Sequence, residues 1–114
     1  MNNLDFTYFE EVADKDSEFL VKVVQNIILE LPFAYTSLLQ SYNVNDYENT
    51  RKIIHKLKPT FDIFGVENGI LISLEKNNTS DNFNFIKFQF ENLILNLVEA
   101  LTEKLNFYKS EVKV

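Results

Sequence analysis

His55 is the only histidine in the chain and the one side chain whose type and setting point to chemistry. It lies in the stretch Arg51-Lys52-Ile53-Ile54-His55-Lys56-Leu57-Lys58-Pro59-Thr60-Phe61-Asp62-Ile63-Phe64-Gly65. Ile54, Leu57, Phe61 and Phe64 recur at three, four and three residues, the seam of an amphipathic helix. His55 is turned about 100° from Ile54 at the helical period. Its neighbours at three- and four-residue spacings are Arg51, Lys52, Lys58 and Pro59, with Asp62 a further turn on. The spacing therefore predicts an imidazole displayed to water among positive charges, rather than one packed in the core.

A displayed imidazole suits phosphoryl acceptance. Histidine is largely neutral at cellular pH, so a ring nitrogen keeps a lone pair for attack on phosphorus. A cation one turn away offsets charge on the phosphoryl oxygens in transit and afterwards. Lys58 has that spacing, and Arg51 and Lys56 are weaker candidates. Taken alone, the same cations also fit a plain solvated helix face.

Other chemistries lack their residues. There is no cysteine nucleophile or thiolate metal site, and two glycines cannot form a phosphate-cradling loop. A single histidine cannot make a histidine-rich metal site. The residue three before it is Lys52, so the Glu-x-x-His pair of di-iron bundles is missing. Nothing resembles the sharp turn that exposes a nucleophilic serine.

At His55 the sequence resembles the histidine-containing phosphotransfer (HPt) domain family. That motif has a helical His, a Lys three positions on, a small residue next, and a glycine near the helix end. His55, Lys58 and Gly65 match; Pro59 departs from the small residue. The specific likeness covers about ten residues around His55, and the surrounding helix layout extends it over most of the chain. It implies a phosphorelay intermediate, without ATP-binding machinery of its own. His55 accepts phosphate from a receiver-domain aspartate and passes it to another, with Lys58 as electrostatic helper. The implied partners are receivers of response regulators and hybrid histidine kinases, which supply the aspartate and Mg²⁺; no cofactor belongs to this chain. Arg51, Lys52, Lys56, Pro59 and Asp62 are candidate docking residues. An apolar docking surface on the neighbouring helix is also implied, without assigned residues.

Pro59 has no N–H to give the His55 carbonyl, so it either kinks the helix and turns His55 outward or marks a site that no longer accepts phosphate. Retention of both His55 and Lys58 favours the first. The rival readings are a helical adaptor that docks a receiver or kinase without taking phosphate, and a structural bundle in which His55 is incidental.

The elements that must position His55 follow from composition and period. A chain of 114 residues makes one domain, residues 1–114. Eleven Phe and five Tyr within 46% hydrophobic content supply a core, while two Gly and two Pro are too few for the turns of a β-sandwich. All-α follows, as an antiparallel up-down-up-down four-helix bundle with a short extra N-terminal helix.

In chain order, Leu4 to Ala13 with Phe6, Phe9 and Val12 forms the extra helix, and Asp14 to Ser17 offers caps for the next. That helix carries Leu20, Val23, Val24, Ile27, Ile28 and Leu31, then Leu38, Leu39 and Tyr42, with Pro32 kinking rather than ending it. Asn45 and Glu48 have the form of a capping box for the His55 helix, and Gly65 is a natural residue past its end. A shorter helix spans Val66 to Lys76. Asn77 to Asn82 is a loop with Ser80 or Asp81 as cap. The last helix carries Ile86, Phe90, Leu93, Leu97, Leu101 and Leu105, with Phe85 and Phe88 broadening the stripe and Lys109 to Val114 fraying.

A formal charge of −6 argues against nucleic-acid binding. Lys22, Gln25, Asn26 and Glu30 interrupt the most apolar stretch, Phe19 to Tyr35, so no membrane span is expected. Met1 to Asp5 lacks the basic start and apolar core of a signal peptide. The expectation is a cytoplasmic monomer, either a free-standing protein, to which the Met1 start points, or a domain of a larger hybrid kinase.

Overall fold

The computed structural model describes residues 4–76 and 83–112. Five helices pack together: α1 (Thr7–Val12), α2 (Ser17–Asn43), α3 (Tyr47–Ile63), α4 (Gly69–Lys76) and α5 (Phe83–Glu111). No strand occurs among the described residues. The loop assigned to Asn77 to Asn82, its caps Ser80 and Asp81, and the side chains of Phe85 and Ile86 lie outside the described residues.

The two longest helices, α2 and α5, pack along one another; α3 packs on α2, and α4 lies against both α3 and α5. On α2 the buried residues Leu20, Val24, Leu31, Leu38 and Tyr42 recur at four and seven, one stripe of the 3.6-residue period. On α5 they are Phe90, Ile94, Leu97, Leu101, Leu105 and Tyr108. Phe88 does not broaden that stripe. It stands about 160° from Phe90 at the helical period and is 62% exposed.

The helix stays continuous through Pro32. By length and composition α2 also passes as a membrane span, with a mean hydropathy of 1.2 over 18 residues, so its polar interruptions do not by themselves exclude one. Its buried residues Leu20, Val24, Leu31 and Leu38 join the core shared with α3 and α5, while 17% of the apolar window is buried.

The helix that carries His55 is bounded at both ends by side chain and backbone. Its N-cap is Asp46, whose carboxylate accepts from the Asn49 N–H at 3.2 Å, and not Asn45. Asn45 has φ +60, a conformation asparagine tolerates, and it makes the turn while the cap moves one residue on. At the C-terminus Gly65 has φ +71, and its N–H donates to the Asp62 carbonyl while the Val66 N–H donates to Phe61 O at 2.8 Å. That pair of bonds is a Schellman cap, with buried Val66 and Phe61 as its apolar contact. Val66 is consumed by the cap, so α4 begins at Gly69 rather than at Val66.

Short α1 closes the same end. Its Phe9 packs edge-on to Phe64, with ring centroids 5.1 Å apart, and Phe6 lies 5.3 Å from the same ring. Ahead of the helix, the Asp5 N–H donates to Phe64 O at 2.9 Å. Glu10 then reaches α5, accepting from Tyr108 at 2.6 Å and pairing with Lys104 at 3.2 Å.

Candidate functional site

Ile54, Leu57 and Phe61 are almost wholly buried, and with the Asp46 cap they fix the rotation of α3 about its own axis. Burying side chains of this size stabilises by roughly 1.5–3 kcal/mol each, so rotating the helix would be costly. His55 is carried outward by that rotation, and its side chain is 66% exposed. Pro59 lies one turn on, exposed, within a helix that continues to Ile63.

The structure adds a carboxylate that sequence spacing does not bring to His55. Glu75, near the end of α4, sets Oε2 3.6 Å from His55 Nε2 and Oε1 3.5 Å from Lys58 Nζ. Its side chain is 24% exposed and that of Lys58 28%, so this pair sits in a shallow recess beside the more open imidazole. Leu71 and Leu74, both buried, pin the turn of α4 that presents it. The three groups make a row of imidazole, carboxylate and ammonium across the α3–α4 junction.

The remaining sequence candidates disperse. Arg51 and Lys56 are exposed on α3. Lys52 pairs with Glu48 at 3.9 Å on the open helix face, an arrangement of little energetic weight. Asp62 accepts from Asn68 Nδ2 at 2.7 Å and so ties the end of α3 to the start of α4 instead of reaching the histidine.

On the opposite flank of α3 runs a groove of about 410 Å³, lined by Leu29, Phe33, Ile53, Lys56, Leu57 and Thr60 among others. Leu29 and Phe33 belong to α2 and are 74% and 76% exposed. Leu29 could have been suspected from sequence, since it falls off the stripe formed by Leu20, Val24 and Leu31. Phe33 could have been found in the same way.

No family model matches the chain, and no curated protein or solved structure matches it. What the site can do therefore rests on its own geometry. Among the described residues no group of three or more His, Asp or Glu side chains comes together as a metal site. The arrangement offers an accessible nitrogen nucleophile, a cation close by, and a carboxylate that touches both.

Proposed function

We propose that this chain is an HPt-like phosphorelay intermediate. A lone pair of the His55 ring attacks the phosphorus of a receiver's aspartyl phosphate, the acyl phosphate O–P bond breaks, and the aspartate leaves as carboxylate. The phosphoryl group then passes to an aspartate of another receiver. Lys58 offsets charge on its oxygens, and the receiver supplies Mg²⁺. On this reading α2 to α5 run up-down-up-down as a four-helix bundle with α1 as the extra helix. The protein acts as a cytoplasmic monomer that needs no nucleic acid, membrane or cofactor of its own.

The observation that carries this reading is the 66% exposure of the only histidine, with the Lys58 ammonium held nearby through Glu75. The exposed Leu29 and Phe33 supply the apolar docking surface on the neighbouring helix, and Arg51, Lys52 and Lys56 suit an acidic receiver pocket. One observation favours a second reading, an adaptor that docks a receiver without taking phosphate: Glu75 already occupies Lys58.

Receivers loaded with ³²P-acetyl phosphate and Mg²⁺ decide between them. The relay reading expects acid-labile, alkali-stable label on the wild type and none on His55→Ala. That variant should stay within about 0.5 kcal/mol of wild-type stability, as exposed substitutions do. Receiver binding without label would establish the adaptor, and label persisting on His55→Ala would remove His55 from the chemistry.

A further inference from the structure

The row of His55, Glu75 and Lys58 has a consequence for what happens after phosphate arrives. A phosphoryl group on His55 Nε2 would stand beside the Glu75 carboxylate, whose Oε2 is 3.6 Å from that nitrogen. The incoming group is dianionic for most of the physiological pH range, and like charges at such spacing repel. Glu75 cannot retreat far. Its helix is anchored through Leu71 and Leu74, and its side chain as a whole is only 24% exposed.

Lys58 would then face two competing anions. In the free protein its ammonium is matched to Glu75 at 3.5 Å. In the loaded protein it must be shared between that carboxylate and the phosphoryl oxygens. The loaded state therefore carries an unfavourable term that the free state lacks, and release of the phosphoryl group relieves it. No other acidic side chain among the described residues of α3 or α4 is paired with either group; Asp62 is turned to Asn68, and Glu48 to Lys52.

We infer that Glu75 sets the transfer potential of His55, making the loaded site a short-lived carrier that gives its phosphoryl group up rather than storing it. This rests on the phosphoacceptor reading above. The carboxylate acts here against the charge that Lys58 accommodates, and the balance of the two fixes how long phosphate stays.

The test needs no partner protein. Phosphoramidate loads histidine directly: the ring nitrogen attacks phosphorus, the P–N bond of the donor breaks, and ammonia leaves with the proton. After the donor is removed by desalting, the lifetime of phosphohistidine is followed by ³¹P NMR in wild type, Glu75→Gln and Lys58→Ala. Removing one member of a partly exposed charge pair should change the lifetime roughly three- to fivefold. Glu75→Gln is expected to lengthen it and Lys58→Ala to shorten it, with circular dichroism melts confirming that each variant is folded. If Glu75→Gln proves unfolded, Glu75→Asp keeps the charge but withdraws it by one methylene and should give a smaller lengthening. Lifetimes in the folded Glu75 variant that equal or fall below the wild type would overturn the inference while leaving His55 as acceptor. Failure of phosphoramidate to label wild-type His55 would instead overturn the acceptor reading, and this inference with it.

Discussion

Glu75 and Lys58, seventeen residues apart, meet at 3.5 Å in the recess beside His55. The ammonium and the carboxylate hold one another beside the imidazole. On the proposed phosphorelay reading, Lys58 is thus kept near His55 without being wholly available to a phosphoryl oxygen.

Lys58→Ala is accordingly expected to slow phosphoryl transfer from a loaded receiver by about tenfold. This is less than the 10²- to 10³-fold lost with a donor in a water-excluded site, because water screens the shallow recess. Lys58→Arg should restore most of the rate, since the charge returns. Rapid-quench measurements on both variants check this, and an unchanged rate in Lys58→Ala would assign Lys58 to holding α4 alone.

Phe33 is 76% exposed and sits with Leu29 on the rim of the groove beside α3. An exposed aromatic contributes little to the folded state but can anchor a partner. Phe33→Ser should leave the melting temperature nearly unchanged and weaken receiver binding by roughly tenfold, an ordinary loss for an anchoring aromatic. Calorimetric titration of a receiver domain reads it directly. Equal affinity in wild type and variant would move docking elsewhere on the surface.

The α3 seam was legible in the sequence because one rule, apolar spacing of three and four, decides it. Ile54, Leu57, Phe61 and Phe64 are all buried, and His55, one residue off the seam, is exposed as that spacing predicts. Gly65 was legible for a similar reason, since a glycine after a helical run marks a left-handed residue. Phe88 was misjudged because an apolar residue was credited to the stripe by type rather than by angle. Glu75 was not legible at all. It is the only acid of α4, yet no local period links it to His55 twenty residues earlier, and only the packing of α4 onto α3 brings them together.

Gly65 is needed twice over. Its φ of +71 disfavours any residue with a Cβ, and a Cβ built there would come 3.3 Å from Asp5 Cβ. Asp5 cannot move away freely, because its N–H is bonded to Phe64 O. Gly65→Ala should therefore destabilise the protein by roughly 1–3 kcal/mol. Urea unfolding followed by circular dichroism checks the figure. The α3–α4 junction would loosen with it, so phosphoryl transfer should also fall at temperatures where the wild type is still folded.

The hold of α1 on α5 should depend on pH from both sides. The Tyr108 hydroxyl donates to Glu10 at 2.6 Å, and this bond, helped by Lys104, keeps the Glu10 carboxyl below its ordinary value of 4.5. A depressed carboxylate pKa means the folded state binds its proton less readily than the unfolded chain. Its stabilising share is therefore present above about pH 4.5 and drains away as pH falls through the lower folded value. Tyr108 moves the other way. Burial first, then its bond to Glu10, pushes the phenol well above its ordinary value of 10. That share is complete below pH 10 and is lost as pH rises from there toward the raised folded value. Glu10→Gln should weaken the acid-side dependence, and Tyr108→Phe should weaken both sides, because the Glu10 shift depends chiefly on that hydroxyl; Asp5 on the acid side and Tyr35 and Tyr42 on the alkaline side keep their own shares. Melting temperatures of the three proteins between pH 3 and pH 11 test this. Parallel profiles in wild type and Tyr108→Phe would mean that α1 is held by Phe9 against Phe64 and not by the hydrogen bond.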